Sequence, residues 1–205
     1  MINQDEGKVL PVIEEFYTLQ GEGFHMGKAA YFIRIAGCDI ACEWCDTKFS
    51  WNNQAEFLIN TDDVIKRAIA KPAKAIVVTG GEPLQHNLNY LCAGLKKYQI
   101  HTFLETSGAF PLSGQWDWIC LSPKKQFPPL PDNYNKADEL KVIIQTKDDF
   151  IWAEKNADLV EPQCKLFLQP EWSRFYKIIN EVVEYIKIHP KWKISLQAHK
   201  FMQIP

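Results

Sequence analysis

Short apolar runs and segments with helical periodicity alternate along most of the chain. The short runs are rich in β-branched and aromatic residues and predict strands at residues 12–18, 30–36, 74–79, 101–105, 118–122, 139–145, 165–169 and 192–197. Helices are predicted at residues 61–70, around 84–98, at 148–156 and over 171–188. Alternation of this kind is typical of βα units, so the sequence predicts an α/β fold with a parallel sheet and right-handed crossovers.

Polar or glycine-containing stretches come directly at the ends of three predicted strands. They are Gly80-Gly81-Glu82-Pro83, Ser122-Pro123-Lys124 and Leu168-Gln169-Pro170. Because parallel strands end at a common edge, where such folds bind ligands, these groups are expected to line one rim. No repeat or long linker interrupts the pattern, and the proline-rich segment 127–134 is predicted to be a surface loop. Residues 1–205 are therefore expected to form a single domain.

Composition and charge exclude several classes of protein. The 205 residues are 46% hydrophobic and 23% charged, which excludes general disorder. A net charge of −2 is not that of a protein that binds bulk nucleic acid through its phosphates. The longest apolar run covers only residues 29–33, and the first six residues lack the basic and apolar regions of an export signal. We therefore expect a cytoplasmic protein without membrane partners, whose six cysteines are thiols or metal ligands.

Cys38, Cys42 and Cys45 form a C-x3-C-x2-C pattern directly after the strand predicted at 30–36. Three thiolates on one loop suit either a zinc ion or an iron–sulfur cluster. Zinc would need a fourth protein ligand, whereas a [4Fe–4S] cluster with three protein ligands keeps one iron open to a small molecule. The spacing favours the open cluster. The remaining cysteines lie in apolar stretches and are expected to be core thiols, namely Cys92, Cys120 and Cys164.

This spacing resembles the cluster motif of the radical S-adenosylmethionine (SAM) superfamily. The glycines of the Gly80–Pro83 stretch, which allow close approach of a ligand, resemble that superfamily's loop for the SAM ammonium group, and Glu82 can accept a hydrogen bond from it. An ordinary tight turn is the alternative interpretation of this stretch alone. The resemblance implies that an electron from the cluster cleaves SAM to methionine and a 5′-deoxyadenosyl radical, which abstracts hydrogen from the substrate.

Further motifs narrow the resemblance to one family. The segment Leu19-Gln20-Gly21-Glu22-Gly23, the Asp46-Thr47 pair after the third cysteine and the terminal Pro205 resemble the 7-carboxy-7-deazaguanine synthase family. The resemblance covers nearly the whole chain. It implies conversion of 6-carboxy-5,6,7,8-tetrahydropterin to 7-carboxy-7-deazaguanine with loss of ammonia, on the route to queuosine. It also implies a shortened, incomplete (β/α) barrel, a requirement for Mg²⁺, a homodimer and an electron-donor protein.

The resemblance also assigns roles to individual residues. Cys38, Cys42 and Cys45 are expected to hold the [4Fe–4S] cluster, and Thr47 is expected to bind Mg²⁺. SAM is expected to contact Gly81, Glu82, Ser122, Pro123, Lys124 and Gln169. The pterin is expected to contact Leu19, Gln20, Gly21, Glu22, Arg34, Thr79, His199 and Pro205.

Three of these side chains have a physical rationale of their own. Arg34 lies among apolar neighbours, so it pairs either with the substrate carboxylate or with a protein carboxylate. Glu22 suits the donor-rich edge of a pterin, although it would also suit a solvated turn. Thr47 offers the oxygen that Mg²⁺ prefers, or alternatively caps a helix.

Two other functions remain compatible with the cysteine pattern. An activase that generates a glycyl radical on a partner protein would share the C-x3-C-x2-C motif, but it would not need the Leu19–Gly23 segment or a fixed terminus. A zinc-stabilised binding module would be colourless, whereas an iron–sulfur protein is brown.

Overall fold

Nine strands and six helices make up the part of the chain that the computed structural model describes, residues 6–52 and 57–205. The strands are β1 (Val9–Leu19), β2 (Ala29–Ile35), β3 (Leu58–Asn60), β4 (Ala75–Gly80), β5 (His101–Thr106), β6 (Trp118–Leu121), β7 (Glu139–Ile144), β8 (Lys165–Pro170) and β9 (Trp192–Ile194). The helices are α1 (Thr61–Ile69), α2 (Asn89–Lys96), α3 (Pro131–Tyr134), α4 (Asp148–Ala157), α5 (Phe175–Ile188) and α6 (Ala198–Met202).

All nine strands belong to one open sheet, in the order β3-β1-β2-β4-β5-β6-β7-β8-β9. From β2 to β9 every neighbouring pair is parallel, as the sequence predicts. Strand β1 is different, because it runs antiparallel to both β2 and β3. The connection between β1 and β2, residues 20–28, is too short for a crossover, which takes about a dozen residues or more. The result is the expected α/β fold of an incomplete (β/α) barrel.

The two faces of the sheet have different roles. On the face covered by α1 and α2, buried aliphatic residues such as Ile33, Ile76 and Leu104 pack against the helices. On the opposite, inner face, Phe32, Val77 and Phe103 form a smaller apolar cluster. Because side chains alternate between faces, the residues two positions after these three also point inward. Those positions are Arg34, Thr79 and Glu105, so the inner face becomes polar towards the carboxyl ends of the strands.

Several predicted ends of helices and strands are wrong by three residues or more. Helix α2 begins only at Asn89, because Pro83 starts a separate 3-10 turn over Pro83–Gln85. Helix α5 begins at Phe175, after another 3-10 turn in which the side chain of Glu171 accepts from the amide of Ser173. Strand β9 ends at Ile194 rather than at residue 197, and the tail then forms α6, which the sequence analysis missed.

Other local predictions hold in part. Helix α1 starts where expected. The residue that caps it is Asn60, whose side chain accepts from the amide of Asp62, and not Thr61, a plausible N-cap from the sequence, whose hydroxyl donates to the carbonyl of Gly7. In the segment predicted as a loop, α3 packs inward because Asn133 donates two hydrogen bonds to backbone carbonyls. The cysteines outside the C-x3-C-x2-C loop are buried as free thiols. No helix within the described residues is long and apolar enough to cross a membrane.

Candidate active site

A cavity of about 260 Å³ opens on the inner face, where the parallel strands end. It collects residues from distant parts of the chain. All the predicted site residues except one line it: Leu19, Gln20, Gly21, Glu22, Arg34, Cys38, Cys42, Cys45, Thr47, Thr79, Gly81, Glu82, Ser122, Lys124, Gln169, His199 and Pro205. The exception, Pro123, lines a smaller cavity of about 80 Å³ that shares Trp44, Lys124 and Ile143 with the large one.

The loop of three cysteines is held against the loop that follows β4. The amide of Glu82 donates to the carbonyl of Gly37, just before the first cysteine, at 2.8 Å. A Cβ atom on Gly81 would lie 2.1 Å from that same carbonyl oxygen, so any larger residue would separate the two loops. The glycine at position 81 is therefore required for close backbone packing, whatever ligand binds beside it.

The donor set of this loop fits an iron–sulfur cluster. Cys38, Cys42 and Cys45 all line the same cavity, and burial raises the pKa of the Cys38 and Cys42 thiols. Binding of iron must therefore displace protons from these sulfur atoms. Within the described residues, no three Cys, His, Asp or Glu side chains are gathered closely enough to hold a single metal ion. A four-iron cluster does not need that convergence, because each of its thiolate ligands binds a different iron.

Glu82 is almost fully buried, and its carboxylate is used by the protein itself. One oxygen accepts from the amide of Leu84 and the hydroxyl of Thr106, and the other accepts from the amide and hydroxyl of Ser107. These four donors tie the loop after β4 to the end of β5. The contacts support a structural role for the side chain, and its predicted contact with an ammonium group stays a prediction.

Three polar side chains at the ends of β6 and β8 define the rim next to the cysteine loop. The ammonium group of Lys124 donates to the carbonyl and the hydroxyl of Ser122, both at 2.7 Å, and lies 5.3 Å from the ring centroid of Trp44. Burial lowers the pKa of Lys124. Gln169 accepts a hydrogen bond from Ser195 at 2.7 Å, which connects this rim to the end of β9.

The Leu19–Gly23 segment reaches the cavity from an unexpected direction. Leu19 pairs with Ala29, at the start of β2 rather than at its end, so this segment enters from the amino-terminal side of the parallel strands. It is held there by the carboxyl-terminal segment of the chain. The carbonyl of Gly21 accepts from the amide of Ala198, and a Cβ on Gly21 would lie 2.2 Å from Nδ1 of His199.

Four residues on the floor of the cavity are joined in a closed ring of hydrogen bonds. Three take part through their side chains, and Glu22 takes part through both its side chain and its backbone N–H. Lys141 in β7 donates to Glu22 at 2.6 Å and to Glu105 at 2.8 Å. Glu105 accepts from the side-chain amide nitrogen of Gln20. The side-chain oxygen of Gln20 in turn accepts from the backbone N–H of Glu22. We call these four residues, Gln20, Glu22, Glu105 and Lys141, the Lys141 ring.

The Lys141 ring is charged. Burial alone would raise the pKa of Glu22, but the Lys141 ammonium and hydrogen bonds from Lys141 and Gln197 lower it to about 2. Burial alone would lower the pKa of Lys141, but Cys120, Glu105 and Glu22 raise it well above its usual range. The cavity floor therefore carries a carboxylate of Glu22 and an ammonium of Lys141 at neutral pH.

Arg34 pairs with a protein carboxylate through one of its nitrogens, which is one of the two alternatives given by the sequence. Its Nε pairs with Glu14 across the β1–β2 hairpin, and its Nη1 contacts the carbonyl of Gly80 at 3.4 Å. A guanidinium group has five N–H donors, so these contacts do not use all of them. Arg34 still lines the cavity, and its contact with a substrate carboxylate stays a prediction.

Thr47 does not cap the short turn that follows it, since no side-chain cap bond is formed there. Its hydroxyl lies 3.5 Å from the sulfur of Cys45, and the residue lines the cavity. The neighbouring Asp46 accepts from Gln197 at 3.0 Å and pairs with Lys200 of α6. The carboxyl-terminal segment is thereby connected to the cysteine loop.

The last residues also turn into the cavity. Gln203 adopts a left-handed conformation with φ of 55°, and the amide of Ile204 then donates to the carbonyl of His199. This turn reverses the chain after α6 and brings Pro205 to the cavity wall. The predicted last strand is present but shorter, and beyond it a helix and a turn hold the tail.

Sequence reasoning missed several lining residues, above all Glu105, Lys141 and Gln197. Lys141 stands between Leu140 and Val142 in its strand, as Arg34 stands among apolar neighbours, and that signal was available. Glu105 lies between Leu104 and Thr106, so it has an apolar neighbour on one side only. Gln197 had no such signal. Its amide group donates both to Glu22 at 2.9 Å and to Asp46 at 3.0 Å, a contact that depends on tertiary structure.

Comparison with known proteins identifies relatives over nearly the whole chain. The family model described as "4Fe-4S single cluster domain" matches residues 19–110. The 7-carboxy-7-deazaguanine synthase of Flavobacterium psychrophilum is 51% identical, over 98% of this chain and 95% of its own. That of Synechocystis is 44% identical, over 95% and 93%. The crystal structure of QueE from Escherichia coli superposes with a TM-score of 0.82 at 30% identity, covering 93% of this chain and 95% of that one. The chain belongs to the 7-carboxy-7-deazaguanine synthase family.

Proposed function

We propose that this protein is a radical SAM lyase that converts 6-carboxy-5,6,7,8-tetrahydropterin to 7-carboxy-7-deazaguanine, with release of ammonia, in queuosine biosynthesis. One observation carries the proposal. A single cavity joins the cysteine loop, the Gly81 loop, the Leu19–Gly23 segment and the terminal Pro205, which lie far apart in sequence. The family membership gives the same assignment. The glycyl-radical activase and the zinc module gain no support, since neither would require the last two of these elements.

The two sides of the cavity suit two different ligands. The cysteine loop and the rim formed by Ser122, Lys124 and Gln169 suit a [4Fe–4S] cluster and SAM. When bound, these groups supply the radical that abstracts hydrogen from the substrate. The contribution of this chain is to bind and orient both molecules and to limit the access of water to the space between them.

The opposite side of the cavity matches the polarity of a carboxylated pterin. The guanidinium of Arg34 suits the substrate's carboxylate. The carboxylate of Glu22 suits the amino and ring N–H donors at the far edge of the pterin, and the α-carboxylate of Pro205 is a second acceptor of the same kind. A cationic group at one end and anionic acceptors at the other would fix the substrate in one orientation.

Further parts of the proposal concern Mg²⁺, assembly and location. The hydroxyl of Thr47, which makes no helix-capping hydrogen bond, is a suitable ligand for Mg²⁺. This ion takes few protein ligands and completes its octahedron with substrate and water. We also propose that residues 1–205 form a single radical SAM domain, that the protein acts as a homodimer in the cytoplasm, and that a separate protein donates the electron.

The experiment that tests the proposal is anaerobic turnover by the reconstituted protein. The holoenzyme is incubated with SAM, a reductant, Mg²⁺ and 6-carboxy-5,6,7,8-tetrahydropterin, and the products are identified by mass spectrometry. Formation of 7-carboxy-7-deazaguanine is expected, with SAM not consumed in stoichiometric amounts. A protein that is brown, holds iron and cleaves SAM but leaves this pterin unchanged would contradict the proposed substrate.

A further inference from the structure

The residue with the most unusual surroundings in the cavity is Lys141. It lies in the middle of β7, is only 4% exposed and has apolar residues on either side of it in the strand. A buried ammonium is costly unless it is paired and fully hydrogen-bonded. Lys141 meets that requirement through two carboxylates, Glu22 and Glu105, which belong to a distant loop and to β5.

Without the lysine, the two carboxylates Glu22 and Glu105 would repel each other. Both accept a hydrogen bond from the same Nζ atom of Lys141, so they lie within a few ångströms of one another. Like charges at that separation favour protonation or rotation of one partner. The single ammonium between Glu22 and Glu105 removes that penalty and keeps both groups in fixed directions.

The Lys141 ring also fixes the backbone of the loop that precedes Glu22. Gln20 donates to Glu105 at 3.2 Å and accepts from the backbone N–H of Glu22 at 3.3 Å. The orientation of Gln20 is therefore set by a carboxylate that Lys141 itself holds. Beyond Leu19, where β1 ends, the backbone of Gln20 still exchanges hydrogen bonds with Gly27 and Lys28, so the Lys141 ring adds side-chain contacts to a loop whose backbone is already held.

We propose that Lys141 is a positioning residue for substrate specificity: it orients the carboxylate of Glu22 to bind the donor edge of the pterin ring, directly through its own hydrogen bond and indirectly through Glu105 and Gln20, which hold the backbone of Glu22. This inference rests on the proposed function for the class of substrate. Lys141 acts through its neighbours, and the contact with the substrate belongs to Glu22. The second oxygen of Glu22 accepts from Gln197 at 2.9 Å, so the carboxylate is held from two sides.

The test measures binding of a substrate-like probe separately from loading of the cofactors. The probe is 6-carboxypterin, the unreactive aromatic relative of the substrate, and its dissociation constant is measured with the reconstituted, SAM-loaded holoenzyme. For Lys141→Met we expect the dissociation constant to rise about tenfold or more, since a charged hydrogen bond is lost and a buried carboxylate pair is left uncompensated. Iron content, SAM affinity and SAM cleavage in the absence of pterin are expected to stay at the wild-type level.

Two further variants keep the test decisive. Glu105→Gln places an amide N–H against either Gln20 or Lys141, which breaks the Lys141 ring on the side away from Glu22, and a smaller rise in the dissociation constant is expected. This variant decides the matter if Lys141→Met fails to fold. The matched control is Lys187→Met, which removes an exposed lysine paired with Glu184 on α5 and is expected to bind the probe as the wild type does.

The outcomes separate this inference from the proposed function. Wild-type affinity for 6-carboxypterin in Lys141→Met, or in Glu105→Gln when the first variant does not fold, overturns the role of Lys141 and leaves the proposed function intact if the wild type turns over the substrate. Failure of the wild type itself to bind the probe or convert the substrate contradicts the proposed function. Loss of SAM affinity in parallel with probe affinity shows a general structural role and also overturns the inference.

Discussion

Lys200 in the last helix forms an ion pair with Asp46, which lies between the third cysteine of the loop and Thr47. The pair connects two segments that are 154 positions apart in sequence. Gln197 reinforces it, because its side chain contacts Asp46, Glu22 and Lys200. The carboxyl-terminal segment is thus attached both to the cysteine loop and to the Lys141 ring, and it closes one side of the cavity.

A first prediction concerns this connection. Lys200→Met is expected to weaken substrate binding by a few-fold, because a partly exposed ion pair contributes about 1 kcal/mol or less. The cluster should be unaffected, so the measurements are the KM for the pterin and the iron content of the purified protein. An unchanged KM would show that the tail stays in place without the pair.

A second prediction concerns the cluster. Replacing Cys38, Cys42 or Cys45 with alanine is expected to remove the cluster, because each supplies one of three ligands. The matched controls are Cys92→Ala, Cys120→Ala and Cys164→Ala, which remove buried thiols elsewhere and should retain about four irons per chain, the content of one [4Fe–4S] cluster. Full iron content in any of the three loop variants would refute the assignment of that cysteine.

A third prediction concerns Mg²⁺. Thr47→Ala removes the proposed oxygen ligand and is expected to raise the Mg²⁺ concentration for half-maximal turnover about tenfold or more, while SAM affinity stays nearly unchanged. Thr47→Ser keeps the hydroxyl and should behave like the wild type. Identical Mg²⁺ titrations for the alanine variant and the wild type would exclude this residue as a ligand.

A fourth prediction concerns the terminal carboxylate. Because Pro205 lies at the cavity wall, residues added after it are expected to displace its α-carboxylate and to weaken substrate binding, without loss of iron. The comparison is between an amino-terminally tagged and a carboxy-terminally tagged protein at equal iron content. Matching KM and kcat would remove Pro205 from the substrate site.

A fifth prediction concerns stability and pH. The pKa of Glu22 falls from 4.5 to about 2 on folding, so the folded state favours the ionised form. The resulting stabilisation, on the order of 3 kcal/mol, is fully present above pH 4.5 and is lost as the pH falls towards 2. In urea unfolding, Glu22→Gln is therefore expected to be less stable than the wild type at pH 7, and the difference should shrink below pH 4.5. A difference that is constant with pH would contradict the pairing of Glu22 with Lys141.

Much of the fold follows from local pattern. The strands that carry apolar runs appear at or near their predicted positions, and the parallel core from β2 to β8 follows from their alternation with helices. The exceptions share one cause. Strand β3 and helix α6 are short and bury few residues, so no periodic pattern in the sequence marks them. Strand β3 forms because it pairs with β1, and α6 forms where the tail packs beside the cavity.

By itself the sequence indicated many of the residues that line the cavity. The cysteine spacing, the glycines that allow close backbone contact and the segment at Leu19–Gly23 are all local patterns, and local chemistry is enough to recognise them. Tertiary structure alone decided how these groups are held. Glu105, Lys141 and Gln197 owe their positions to β5, β7 and the tail after β9, and no pattern along the chain indicates which carboxylate each one meets. The physical reason is that a buried charge selects its partner by proximity in the folded core, and proximity between residues 22, 105, 141 and 197 exists only once the sheet has formed.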